Sequence, residues 1–272
     1  MNTAPAASAQ RRLGATITGS GERVIVLANG LGTSQRTWRH VVDALDGRAR
    51  FVRFDNVCSP AAPPGGYRAE VYSSIYAYVD DAVQLITELD LRDVLFVGHS
   101  ISGIIGLLAA VTIPDHISRL ALICSTPRYL EDVDFRAGFP RDRLDAILLE
   151  LQTNYAGWAR TFAESACGPD ATPEQWAELA DGLAGMPPDV AFRVFQLVFF
   201  GDARAILPRV RQPVFVMHSQ EDLVVPSSAG EYMVQQIPRA QLVPLSAKGH
   251  LPQLTRPAEI VRHLSRILDT WT

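Results

Sequence analysis

Apolar and polar positions along the chain fall into two rhythms. Short, nearly continuous apolar runs recur at Arg23–Ala28, Phe51–Asp55, Val94–Val97, Leu120–Cys124, Val214–His218 and Gln241–Leu245. Turn residues bound them, the mark of strands buried on both faces of a parallel sheet. Between the runs lie segments with helical spacing: Thr37–Leu45, Tyr72–Leu89, the stretch after Ser100 to about Val111, Ser227–Ile237 and Ala258–Leu268. This alternation predicts an α/β fold, with a mostly parallel central sheet flanked by helices. Thr16–Gly21 adds an early strand and turn, expected as one arm of a hairpin. Pro244 suggests an edge position for the last strand.

From about Pro127 to Leu207 the rhythm changes. No buried strand is predicted there; the segment is helical and rich in aromatics, with breaks at Gly168-Pro169 and Met186-Pro187-Pro188. The expectation is a helical cap, residues 127–207, inserted into a core made of residues 1–126 and 208–272. Most of its aromatics are cap core by default. A cap over a site must also present apolar faces to a pocket. Trp158 and Phe162, i,i+4 neighbours on one helix face, are the pair expected to line it.

Composition narrows the function. A net charge of −4 and no basic run argue against a nucleic-acid partner. No run of eighteen apolar residues predicts a membrane span. Cys58, Cys124 and Cys167 have no paired spacing, which suggests reduced thiols and a cytoplasmic location. No spacing predicts a metal or cofactor site. Residues 1–10 lack the apolar stretch of a secretory signal and are expected to be a frayed tail.

The chemistry centres on Gly98-His99-Ser100-Ile101-Ser102-Gly103, between a predicted strand and a predicted helix. A serine there sits on a sharp turn with Oγ exposed, the nucleophile elbow Gly-x-Ser-x-Gly, with Ser102 at the second glycine position. The plainer alternative is a serine that caps the next helix. Asn29-Gly30-Leu31-Gly32 follows the first buried strand. Its Leu31 N–H, with that of Ile101, is assigned to an oxyanion hole; a simple tight turn is the alternative. Downstream come Asp222 and His250, each just after a predicted strand, in the order Ser…Asp…His. Serine is a poor nucleophile unless an imidazole takes its proton, and a carboxylate must hold that imidazole in the right tautomer. Of six histidines only His250 lies in a Gly-His-x-Pro loop before the closing helix; a surface-loop histidine is the alternative. Glu221 or Asp222 supplies the acid, and Asp-x-x-Val-Pro favours Asp222. His99 is expected to point away from the nucleophile and to be structural. These roles imply cleavage of a small ester or lactone in an enclosed pocket.

Several segments then resemble one group of α/β-hydrolases, which includes the bacterial stress regulator RsbQ and the plant karrikin and strigolactone receptors. They are Gly30-Leu31-Gly32-Thr33, Gly98-His99-Ser100-Ile101-Ser102, Thr126-Pro127-Arg128-Tyr129-Leu130, Asn154-Tyr155-Ala156-Gly157-Trp158 and Gly249-His250-Leu251-Pro252-Gln253-Leu254. The resemblance implies the α/β-hydrolase fold, a V-shaped cap of four helices, and Ser100, Asp222 and His250 as the triad. It places Leu31, Ile101, Trp158, Phe162, Phe199 and Phe139 at the pocket. Leu31 replaces an aromatic residue common in the group, which implies a less bulky wall. Asn56-Val57-Cys58-Ser59-Pro60 replaces the usual glycine-containing turn after Asp55, which puts the pocket mouth in question. The resemblance also implies a choice. A metabolic serine hydrolase for a small hydrophobic carbonyl substrate, ester, lactone or enol ether, is the main reading. A slow ligand sensor that binds a regulatory protein through its cap is the alternative. A non-hydrolytic lyase or biosynthetic enzyme would use the same residues.

Overall fold

In the computed structural model, residues 8–271 are described. Seven strands, β1 (Thr16–Thr18), β2 (Arg23–Ala28), β3 (Ala49–Phe54), β4 (Val94–His99), β5 (Ile117–Ile123), β6 (Val214–Glu221) and β7 (Ala240–Lys248), form one sheet in the order β1-β3-β2-β4-β5-β6-β7. All neighbours pair in parallel except β1 with β3. Helices α1 (Ala9–Arg12), α2 (Arg39–Ala44), α3 (Ile75–Glu88) and α4 (Ile101–Thr112) belong to the first half. After β6 come α9 (Ser227–Gln236), α10 (Pro252–Thr255) and α11 (Pro257–Asp269). Two apolar clusters, one on each face of the sheet, make up the core. β4 is buried along its whole length, which explains its unbroken apolar run. β7 lies at the sheet edge and is partly exposed, and Pro244 is tolerated there.

Four helices separate β5 from β6: α5 (Arg141–Thr153), α6 (Tyr155–Cys167), α7 (Pro173–Ala184) and α8 (Pro188–Phe200). The sequence explains their ends. Thr172 and Gln175 form a capping box at the start of α7, and Pro188 opens α8 at its first turn. One break went unpredicted, at Asn154 between α5 and α6. The entry and exit segments of this insertion are stapled together. Ala203 N–H donates to Pro127 O at 2.9 Å. Arg128 pairs with Asp202 and with Asp132 at 3.0 Å, while Arg204 pairs with Asp132 at 2.8 Å and Asp202 at 2.7 Å.

Two expectations fail. β1 is not the arm of a hairpin with β2, because both edges of β2 are taken by β3 and β4. The exposed Thr-Ile-Thr strand instead closes the sheet edge on β3. Nor is the N-terminal stretch a frayed tail throughout. Residues 1–7 lie outside the described residues, but Ala9 and Leu13 are fully buried and Ala9 N–H donates to Glu88 at 2.8 Å.

The strand order places the site. β2 leads to β3 on one side, then the chain returns to β4 on the other. A crevice therefore opens beyond the carboxyl ends of β2 and β4. The elbow fills it because Gly98 brings β4 against α4. A Cβ at Gly98 would collide with the backbone of Ser102 and Gly103, which cannot swing aside. Gly98→Ala is therefore expected to lower stability by about 1–3 kcal/mol, the range for overpacking. Urea unfolding would show this as a lower midpoint at unchanged slope.

Candidate active site

Ser100 sits at the turn from β4 to α4 with φ +56° and ψ −125°, a left-handed conformation costly for any residue but glycine. Its side chain makes no capping bond to α4, so the alternative of a simple helix cap fails. The strain is held from several sides. Ser100 N–H donates to Ile123 O at 2.8 Å, and Ser125 Oγ donates to Ser100 O at 2.8 Å. Ser102 Oγ donates to Asn29 O at 2.7 Å, and Asn56 Nδ2 reaches the same carbonyl at 3.3 Å. The serine in place of the second glycine thus ties α4 to the loop after β2. The loop after Asp55 contributes to that tie through Asn56.

The loop after β2 comes very close to the elbow. A Cβ at Gly30 would lie 2.6 Å from His99 Nδ1 and 3.1 Å from Ser100 Cβ, so only glycine fits. Its internal bonds run from Thr33 N–H and Oγ1 to Gly30 O, and from Asn29 Nδ2 to Thr33 O. None of them uses the Leu31 N–H. The Ile101 N–H belongs to the first turn of α4, where backbone donors lack helical partners and the dipole favours negative charge.

His250 follows β7, and its Nδ1 lies 2.8 Å from Asp222 Oδ2. The other oxygen, Asp222 Oδ1, accepts the N–H groups of Val224 and Val225 at 2.8 and 3.0 Å. The Asp222 side chain is fully buried. Burial works against its charge, but His250 and these hydrogen bonds outweigh it and hold the carboxyl below its usual range. Glu221 points outward, 61% exposed, and pairs with Lys248 at 2.8 Å. Cys124 Sγ, an Asp222 oxygen and a His250 nitrogen lie within 4.8 Å of one another. They are metal-ligand types at a spacing the sequence did not reveal. Burial, and then the Asp222 charge, push the thiol well above its ordinary pKa, so a metal would have to displace a strongly held proton.

The loop carrying His250 is gripped by two partners. Its N–H donates to Ala166 O, near the end of α6, at 2.6 Å. Its carbonyl accepts His99 Nε2 at 2.8 Å, and the two imidazole rings are 4.8 Å apart. The role of His99 is structural, as expected, but it lies at the site: it is buried against His250 and borders the pocket. Burial and the neighbouring His250 depress its pKa to about 3, which keeps it neutral with the proton on Nε2.

Ser100, His99, His250, Leu31 and Ile101 line one small cavity of about 40 Å³. Phe162 and Phe199 line it as well, together with Tyr129, Leu179, Phe195, Val198, Val224 and Leu251. Trp158 and Phe139 do not. Trp158 is buried one layer behind, stacked on Phe162 at 4.9 Å and edge-on to Phe195 at 5.0 Å. Phe139 is tied by its N–H to Tyr129 O at 2.7 Å and covered by the Arg143 guanidinium at 4.3 Å. The smaller Leu31 does not leave a roomy site, because Leu179 and Leu251 also crowd it. Sequence reasoning missed Tyr129, Leu179, Phe195 and Val198. Only Tyr129 carried a signal, the Pro-Arg-Tyr-Leu segment.

A parallel sheet with a strained serine, a carboxylate-bound histidine and an overlying helical insertion defines a hydrolase of the α/β type. Residues 25–263 match the Alpha/beta hydrolase family, and the chain belongs to it. It is 36% identical to "Karrikin insensitive 2 receptor CA" of Petunia hybrida, over 92% of this chain and 93% of that one. It is 34% identical to "Strigolactone esterase D14" of Arabidopsis thaliana, over 94% and 96%. The solved hydrolase olei00960 of Oleispira antarctica superposes with a TM-score of 0.92 at 30% identity, covering 96% of both chains. These relatives place the chain in the subfamily that its sequence motifs resemble. Among the described residues no single helix is long and apolar enough to cross a membrane.

His99 makes stability depend on pH with a definite sign. Unfolded, it takes up a proton near pH 6.5; folded, only near pH 3. Between those values the unfolded state binds more protons, so stability falls on acidification by up to ~1.4 kcal/mol per pH unit. Burial also lowers His218, so it contributes with the same sign. The depressed Asp222 acts in a lower window, losing its contribution as pH falls through its folded value. Urea unfolding of His99→Gln between pH 4.5 and 6.5 should therefore show a shallower, though not flat, pH dependence than the unaltered protein.

Proposed function

We propose that this protein is a serine hydrolase of the esterase or lactonase type, cleaving a small hydrophobic ester, lactone or enol ether through an acyl-enzyme. One observation carries the reading. A serine on a strained turn shares a small, mostly apolar cavity with a histidine whose far nitrogen is bonded at 2.8 Å to a buried carboxylate.

The chemistry follows from that geometry. Asp222 fixes the proton on His250 Nδ1, which leaves Nε2 free to act as base. His250 takes the Ser100 proton as Oγ attacks the carbonyl carbon, then delivers it to the leaving oxygen. The N–H groups of Leu31 and Ile101 hold the oxyanion; one such donor is typically worth about 10²–10³ in rate. Water clears the acyl-enzyme by the same route in reverse. Residues 127–207 act as the lid over residues 1–126 and 208–272, and the reaction needs no metal or cofactor. The free cysteines Cys58, Cys124 and Cys167 support a cytoplasmic location.

Hydrolysis of p-nitrophenyl acetate tests this. Steady multiple turnover is expected, abolished by Ser100→Ala and His250→Ala and reduced about 10⁴-fold by Asp222→Asn. Unchanged turnover in Ser100→Ala would refute the mechanism. A single burst that stalls would favour a sensor that signals to a protein partner through the cap; relatives named as receptors keep that reading in view.

The cavity also sets a size limit. At about 40 Å³, room for a few water molecules, it suits a short acyl chain. Acetate esters should be preferred over hexanoates by at least roughly tenfold in kcat/KM, and Leu179→Ala or Val198→Ala should narrow the gap by opening the wall. A chain-length series of p-nitrophenyl esters on each variant measures both effects.

A further inference from the structure

One pocket residue has chemistry that the triad and oxyanion hole leave unused. Tyr129 lies 6% exposed in the segment after β5 and lines the cavity with Ser100 and His250. The Ser100 side chain is among the groups that act on its phenol. Burial raises the phenol above its ordinary pKa, only partly offset by Ser100, so it remains a protonated donor. Apart from the triad, His99 and Tyr129, the cavity wall is apolar, and His99 Nε2 is already given to His250 O. Tyr129 is therefore the remaining side-chain donor of the cavity wall outside the triad and His99.

The sheet fixes the side from which that donor acts. Along the carboxyl edge the strands run β2, β4, β5, β6, β7. They carry in turn the Gly30–Thr33 loop, Ser100, Tyr129, Asp222 and His250. Leu31 and Tyr129 thus approach Ser100 from opposite sides. A substrate carbonyl whose oxygen lies toward the N–H groups of Leu31 and Ile101 turns another substituent toward Tyr129. The tyrosine is also held firmly. Its carbonyl accepts Phe139 N–H at 2.7 Å, its ring packs on Phe199 at 5.6 Å, and the neighbouring Arg128 lies in the ion-pair staple at the base of the cap.

We propose that Tyr129 is a further catalytic residue, whose hydroxyl donates a hydrogen bond to the leaving-group oxygen during acylation. The proposal rests on the serine-hydrolase reading. As Ser100 Oγ bonds to the carbonyl carbon, the bond from that carbon to the leaving oxygen breaks. The proton taken from Ser100 passes through His250 to the departing oxygen. Tyr129 keeps its own proton and stabilises the charge on that oxygen meanwhile. Its contribution therefore grows with the basicity of the leaving group, which suits the site to lactones and to esters of poorly acidic alcohols or phenols.

The test compares kcat/KM for p-nitrophenyl acetate and phenyl acetate in the unaltered protein, Tyr129→Phe and Ser100→Ala, with a thermal melt of each. Tyr129→Phe should lose about tenfold on phenyl acetate and less than about twofold on p-nitrophenyl acetate, with Tm nearly unchanged. Equal losses on both esters would mean that the hydroxyl only supports packing, and would overturn the proposal. So would full activity on phenyl acetate. If Ser100→Ala retains activity, the serine mechanism itself fails. If Ser100→Ala is dead while Tyr129→Phe shows no dependence on the leaving group, this inference fails alone.

Discussion

Everything at the site depends on how the backbone of His250 is held. Its N–H ends on Ala166 O from the cap, and its carbonyl ends on His99 Nε2 from the strand before the nucleophile. Asp222 fixes only the ring. A two-point grip on the main chain and one on the side chain leave the imidazole little freedom. His99 serves in this way only while neutral, and its burial ensures that. The same grip joins cap to core. The end of α6, with carbonyls otherwise lacking partners, is satisfied by the loop that carries His250. Further ties, Lys248 N–H to Asp170 at 3.0 Å and Gln175 Nε2 to Leu254 O at 2.9 Å, reinforce that seam. A cap movement at α6 would therefore be felt at His250, whether the protein turns over substrate or reports its presence.

The opposite seam is built differently. Where the cap leaves and rejoins the sheet, four charged side chains close a ring across Arg128, Asp132, Asp202 and Arg204. These groups are partly exposed, so each pair is worth little alone, and the ring owes its effect to being a network. Tyr129 sits directly beside it. The cavity between the two seams is small and mostly apolar.

Much of this was legible in the sequence, for physical reasons. Strands covered on both faces read as apolar runs, and Gly98, Ser100, Asp222 and His250 each follow or end such a run. What sequence does not carry is pairing and depth. β1 was expected to pair with the next strand, but β2 has no free edge. Trp158 and Phe162 share a helix face, yet spacing along a helix does not say which of two stacked rings meets the cavity and which lies behind it. Leu179, Phe195 and Val198 reach the pocket from other helices, and nothing in their own neighbourhood marks them. His99 was expected to be structural, but its partner, a carbonyl 151 residues away, leaves no mark in the sequence. Ala9 and Leu13 escaped because a four-residue helix leaves no periodicity to read.

The proposed chemistry stands on activation of Ser100 as a nucleophile by His250. Labelling with a fluorophosphonate, followed by intact-mass analysis and peptide mapping, tests it without reference to any natural substrate. A single phosphonyl adduct is expected on Ser100, formed rapidly in the unaltered protein and all but lost in His250→Ala. Modification at another residue, or labelling of Ser100 at the same rate without His250, would contradict it.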